Sequence, residues 1–163
     1  GKADFVLDTS HTSPNELRLK LGSIFPLSNN RSIRIMLQSF SFRKGSLAGL
    51  DMVFDCRFLK NPNWVSNLKG LNGTDDEVKE YLSKDKSWPP FKKNILQMLA
   101  TTIPAFEREG KSYLSIGLGC TGGQHRSVFV AEQLYKPLLD IKDNVRILHT
   151  SLPKVKSYFF HCL

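Results

Sequence analysis

Long hydrophobic runs are missing from this sequence. No apolar stretch approaches the roughly 20 residues that a membrane-crossing helix needs, so no helical span organises the chain. Cysteine is scarce. Cys56, Cys120 and Cys162 show no Cys-x-x-Cys spacing and leave one thiol over in any pairing. That argues against a metal site and a disulfide framework, and a reducing, cytoplasmic setting is expected. Gly-x4-Gly-Lys-Ser/Thr occurs nowhere, so no nucleoside triphosphate is expected to bind by a Walker loop. The sequence has no internal repeat and no low-complexity tract. At Gly1-Lys2-Ala3-Asp4 it has neither an initiator Met nor a charged segment followed by an apolar core. It reads as a segment of something longer. Acidic residues are absent from Leu17 to Leu50, where Arg18, Lys20, Arg31, Arg34, Arg43 and Lys44 fall. The whole chain carries +8, which suits a polyanionic partner.

What is present centres on Gly119-Cys120-Thr121-Gly122-Gly123-Gln124-His125-Arg126-Ser127. The apolar run Tyr113–Leu118 before it reads as a buried strand. After it, Val128, Ala131, Leu134, Tyr135 and Leu138 recur at helical spacing. A glycine-bearing turn between a strand and a helix offers backbone N–H groups and a positive dipole end to an anion, commonly a phosphate. Arg126 and His125 stand where they can add charge.

Along the chain, Asp4–Asp8 reads as a short strand. A helix follows, opened by Ser13, Pro14 and Glu16 as a capping box and carrying Leu17, Leu21, Ile24 and Phe25 inward. Residues 31–40 read as a strand, leading to a loop in which Phe42, Arg43 and Lys44 interleave aromatic and basic groups, as nucleic-acid contacts do. Residues 52–58 read as a second strand, with Asp55 and Arg57 on one side as either a site or a structural ion pair. Asn61-Pro62-Asn63-Trp64 reads as a turn with an aromatic anchor. Thr74 to Glu77 suggests a second capping box, followed by a helix burying Val78, Tyr81 and Leu82. Trp88 starts a longer helix with Phe91, Ile95, Met98, Leu99, Ile103 and Phe106 inward, kinked at Pro104 and ended by Gly110. Pro137 should bend or shorten the helix after the central turn, and residues 144–149 form a last strand. This order predicts a layered α/β fold of Rossmann-like type, its largely parallel sheet flanked by helices. Ligands then bind beyond the C-terminal strand ends. That puts Asp55, Arg57 and residues 120–127 on one rim.

Cys120 and Arg126 are separated by five residues, and Ser127 follows. Cys-x5-Arg-Ser is also the loop pattern of protein tyrosine phosphatases. In that alternative Cys120 is the nucleophile, Arg126 holds the phosphate, and an acid such as Asp55 protonates the leaving group. Asp75 and Asp76 are further candidates by type.

The stretch from Gly119 to Val128 also resembles the hallmark of the RapZ/YvcJ family of bacterial proteins. So do Ala3–Thr9, Ser39–Gly45, Val53–Leu59 with Asn61-Pro62, and Lys111–Leu114, in the same order. The resemblance implies residues 1–28 as the last strand, helix and linker of an upstream P-loop domain, residues 29–150 as a C-terminal domain, and residues 151–163 as a tail. It implies a fold related to a phosphofructokinase subdomain, and a homo-oligomer. Nucleotide is expected only in the family's N-terminal domain, and no cofactor in this chain. The implied role is non-catalytic: sensing glucosamine-6-phosphate and binding RNA as an adapter to an endoribonuclease. The phosphate is expected at Thr121, Gly122, Gly123, His125, Arg126 and Ser127, and the ammonium at Asp55 beside Arg57. The hydroxyls are expected at Asn63 and Asn72, next to Gly73. RNA is expected at Arg34, Arg43 and Lys44 and, in the tail, at Lys154 and Lys156. Asn63 and Asn72 stand where the family pattern has His and Thr, and the basic cluster of the family's tail is thinned here to those two lysines.

Overall fold

The computed structural model describes residues 6–10, 12–13, 16–17, 20–21, 32–45 and 47–153. The chain divides into two units, Gly1–Arg31 and Ser32–Leu163. In the first, Glu16 N donates to Ser13 Oγ at 3.3 Å, and Ser13 N and Oγ donate to the Glu16 carboxylate at 2.8 and 2.9 Å. This is the reciprocal box that the spacing predicts. Leu17 N then bonds Ser13 O at 2.9 Å as the first helical turn closes. The expected strand at Asp4–Asp8 lies partly outside the described residues, and residues 6–8 carry no strand. Pro14, Ile24 and Phe25 also lie outside them.

Among its described residues the second unit holds four strands: β1 (Arg34–Ser41), β2 (Met52–Asp55), β3 (Tyr113–Cys120) and β4 (Val145–His149). They form one sheet in the order β2-β3-β1-β4, parallel at every pairing. Three helices flank it: α1 (Asp76–Ser83), α2 (Trp88–Arg108) and α3 (Arg126–Leu139). Strands covered on both faces read as near-continuous apolar runs, and β3 fits: every residue after Tyr113 is buried. Ile35, Leu37, Leu114, Ile116 and Leu118 have no exposed surface. From α2, Ile95, Leu99 and Ile103 join this core at a spacing of four, and from α3 Phe129, Val130, Leu134 and Leu138. Met98 stands one position off the α2 line and is 38% exposed, contrary to the inward expectation.

Pro89 and Pro90 sit in the first turn of α2, where a missing N–H costs nothing. Gly110 closes that helix at φ +78°, its N–H on Glu107 O and the next one, from Lys111, on Phe106 O. Pro104 and Pro137 lie inside their helices, and both helices continue past them. The expected box at Thr74 does not form. Asp75 is the N-cap of α1, and the Thr74 N and Oγ donate to Asn72 Oδ1 at 2.9 and 2.8 Å. Asn thus makes a side-chain turn that takes Thr74 out of capping.

Strand β2 stops at Asp55 rather than at residue 58. The Arg57 N–H folds back to Asp55 Oδ1 at 2.8 Å, which ends the extended conformation. At the other edge, β4 is tied to β1 by side chains. Ser39 Oγ lies 2.8 Å from His149 Nδ1, whose ring Nε2 lies 3.0 Å from Glu132 Oε1. Thr150 donates to Ser39 O through both its N–H and its Oγ.

Ile116 sits mid-way along β3, between β1 and β2. Ile116→Ala is expected to cost about 2–5 kcal/mol in urea unfolding with an unchanged denaturant slope. A loss below about 1 kcal/mol would mean that β3 is not the packed centre.

Candidate functional site

The C-terminal ends of β1, β2 and β3 meet at one edge: Ser41 pairs with Cys120 and Asp55 with Gly119. The chain leaves β3 there, turns through residues 121–125 and enters α3 at Arg126. Packing fixes the turn from below. Cys120, 3% exposed, places its Sγ 3.1 Å from Ser127 Oγ and accepts the Gly123 N–H at 3.2 Å. Gly123 has φ +67°, and a Cβ there would stand 2.6 Å from Ser151 Cβ and 2.9 Å from Ser41 N. Gly73 N donates to Gln124 O, and a Cβ at Gly73 would fall 2.4 Å from Phe129 N. Only glycine lets that loop lie against the start of α3.

From above, the turn is open. Thr121 and Gly122 are exposed, and the N-cap residue of α3, His125, makes no side-chain cap hydrogen bond. Thr121 O accepts from Ser41 Oγ at 2.7 Å and from Arg43 N at 3.3 Å, which holds the turn beside the Phe42–Lys44 segment. Of the three amides expected to face a phosphate, that of Gly123 is already taken by the Cys120 sulfur.

Arg126 is 6% exposed. Its Nη1 donates to Arg57 O at 2.6 Å and to Leu59 O at 3.2 Å, and its Nη2 to Thr121 Oγ1 at 3.4 Å. It lines a cleft of about 440 Å³ with Arg57, Lys60, Asn61, Trp64 and Thr121 among the walls. Three cations therefore converge there. Asp85, also on the wall, accepts from Lys60 N at 2.7 Å and Ser87 N at 2.9 Å. Burial alone would raise its carboxyl; those two amides and the Lys60 charge outweigh it and hold it below the ordinary range.

Asp55 and Arg57 form a fork on the rim. Arg57 Nε and Nη2 reach the carboxylate at 2.9 and 2.6 Å, and the guanidinium lies 4.4 Å from the centre of the Phe42 ring. The Arg57 hydrogen bonds, helped by the Arg126 charge, hold Asp55 below its usual value. So Asp55 is ionised at neutral pH, the wrong state for an acid that must give up a proton. With Cys120 buried beneath the turn, the phosphatase alternative has neither an accessible thiol nor a protonated acid among these groups. Asp75 accepts from Asn72 N and Nδ2, and Asp76 pairs with Lys79 at 2.9 Å.

The cleft thus unites Arg57, Thr121 and Arg126 of the expected residues. His125 and Ser127 lie under the turn. The His125 Nε2 lies 3.1 Å from Leu68 O, and burial pushes its pKa down, so it adds no charge at neutral pH, contrary to expectation. Asn72 is spent on its own loop, and Asn63 is exposed on the short turn Pro62–Trp64. Arg43 and Lys44 are exposed beside the rim, but Arg34 opens β1 at the far end, about 23 Å away at 3.3 Å per residue. Lys154 and Lys156 lie outside the described residues. Sequence reasoning did not single out Lys60 or Asn61 as cleft residues. Their signal was position: they follow a strand end on the rim already chosen. Trp64, read as an anchor, is 85% exposed.

A carboxylate with a lowered folded-state pKa adds stability above its ordinary value and loses it as pH falls through the folded value. Asp85→Asn should therefore cost about 1–3 kcal/mol at pH 7. That deficit should shrink below the ordinary 3.8. Urea midpoints against pH measure it; a deficit that does not shrink as pH falls below 3.8 would contradict this role.

The model of the RapZ C-terminal domain family matches residues 33–153. A nucleotide-binding protein of Cereibacter sphaeroides is 42% identical over 153 residues, which cover 94% of this chain and 51% of that protein. One from Dinoroseobacter shibae is 47% identical over 138 residues, covering 85% and 46%. One from Roseobacter denitrificans is 46% identical over 131 residues, covering 80% and 44%. The chain spans about half the length of the curated relatives it matches. Among its described residues no helix is long and apolar enough to cross a membrane. With an all-parallel α/β sheet and the Gly119–Val128 turn at its C-terminal edge, the chain belongs to the RapZ C-terminal domain family.

Proposed function

We propose that this domain is a non-catalytic sensor of a phosphorylated amino sugar, glucosamine-6-phosphate or a close analogue, that also binds RNA. One observation carries the sensing half: the buried guanidinium of Arg126, the first residue of α3, is held by neutral carbonyls at the wall of an open cleft that Arg57 and Lys60 also line. A phosphate there gains the Arg126, Arg57 and Lys60 charges and the dipole of α3. The ionised Asp55, nearly half exposed, has carboxylate acceptor sites beyond those Arg57 occupies, which suits an ammonium. Asn61 and Thr121 are polar partners for hydroxyls. The RNA half is supported by the net charge of +8 and the exposed Arg43 and Lys44 on the same rim. An endoribonuclease and further copies of this chain are its proposed protein partners. Nucleotide binding, which the relatives are named for, is proposed for the half of those proteins that this chain does not span.

Ligand at a hundred times its Kd should stabilise the domain by about 2.7 kcal/mol. That is roughly 5–10 °C in Tm for a domain of this size. Arg126→Lys should lose most of the shift while the variant still melts cooperatively. No shift of the wild type at millimolar glucosamine-6-phosphate would overturn the sensing half. RNA affinity should fall linearly on a log scale with salt, and affinity that ignores salt would overturn the RNA half.

A further inference from the structure

The cleft that holds Arg126 has two kinds of wall. Arg57, Lys60 and Arg126 supply charge, while Phe58 and Trp64 supply exposed apolar surface. The two rings differ in what they already touch. Phe58 packs edge-on against Phe91, with ring centres 4.8 Å apart. Trp64 is 85% exposed, and among the described residues no aromatic ring or cation lies against its indole. Its backbone is nevertheless tied down. Trp64 N donates to Asn61 O at 3.2 Å, Val65 N to Pro62 O at 3.0 Å and Asn63 N to Asn61 Oδ1 at 3.2 Å, and Pro62 is buried. A fixed turn therefore holds a large ring in water on the wall of a cationic cleft, where it forgoes the free energy of burial. Asn61, on the same wall, spends its Oδ1 on that turn, and among the described residues its Nδ2 is not engaged.

We propose that Trp64 is a specificity residue of this cleft: its indole face receives the C–H face of the pyranose ring of a hexose phosphate whose phosphate sits at Arg126. This rests on the sensing half of the preceding reading and adds recognition of the ring to that of the phosphate. A pyranose carries its hydroxyls around its edge and apolar C–H groups on its faces. An indole covers such a face with few rotamers to freeze, and the Asn61 amide is a donor for an edge hydroxyl. A phosphate alone engages the cations and leaves Trp64 in water. A nucleobase also stacks on indole, but it brings no cation at neutral pH to the ionised Asp55 on the same rim.

The test uses glucosamine-6-phosphate, inorganic phosphate and AMP, with affinity from calorimetry and the state of Trp64 from acrylamide quenching of tryptophan fluorescence. The chain has two tryptophans, and Trp88 is 5% exposed, so the quenching reports mainly Trp64. Saturating glucosamine-6-phosphate should lower the quenching slope, and inorganic phosphate should leave it unchanged. Trp64→Ala should weaken glucosamine-6-phosphate about tenfold and Trp64→Phe less than about threefold. Neither should alter phosphate affinity, and thermal melts confirm that both variants are folded. If wild type binds no glucosamine-6-phosphate, the sensing reading and the role of Trp64 both fall. If wild type binds it with the quenching slope unchanged, or Trp64→Ala binds it as well as wild type does, only the role of Trp64 falls. That role falls too if AMP binds more tightly than glucosamine-6-phosphate, or if Trp64→Ala loses phosphate affinity equally.

Discussion

A cation taken out of water has to be held, and the buried guanidinium of Arg126 sets the terms for everything around it. Two backbone carbonyls, those of Arg57 and Leu59, accept from it, so the chain leaving β2 is drawn against the first turn of α3. The same bonds fix where the cleft opens. Because those acceptors are neutral, the charge is hydrogen-bonded but not cancelled. Its influence is felt at Asp55, which it helps to keep ionised. A site that holds a positive charge rigidly, with no ion pair to it among the described residues, is prepared for an anion before one arrives.

Beneath that cation, the turn is a packing problem solved with small residues. The Cys120 sulfur fills the space under the loop and takes the Gly123 amide, while Ser127 closes the other side. Gly73 lets a neighbouring loop lie against the helix start, and Gly123 takes a left-handed backbone against Ser151. The Cys-x5-Arg-Ser spacing therefore has a structural explanation here. A thiol at this depth behaves as a compact, weakly polar filler. Thr150, just after β4, donates to Ser39 O, and Ser151 lies against Gly123, so these two residues join the turn to the edge of the sheet.

Much of this was legible in the residues themselves. The apolar run ending at Leu118, the glycines after it and the helical spacing from Val128 were enough to place a strand, a glycine-bearing turn and a helix in order. The alternation after Ser32 marked β1, and the Ser13–Glu16 box formed as spacing dictates. What escaped was decided by local competition or by tertiary packing. Asp55 could not reveal that it would capture its neighbour's N–H and end β2. Asn72 took Thr74 from its cap. His125 gave no sign that Leu68 would bury and neutralise it. Trp64 looked like an anchor because large rings usually are, and only the course of the chain shows it facing solvent. The cleft walls at Lys60 and Asn61 depend on the clamp at Asp85, a long-range contact that periodicity does not encode.

What must hold for the proposed role is that the open upper side of this turn receives a negatively charged group. Backbone amide chemical shifts followed while glucosamine-6-phosphate is titrated in test it most directly. Saturable shifts are expected, concentrated at Thr121, Gly122, Arg126 and Arg57, with Arg34 and the α2 amides unmoved. Saturable shifts gathered elsewhere, or none at the turn at millimolar ligand, would contradict it.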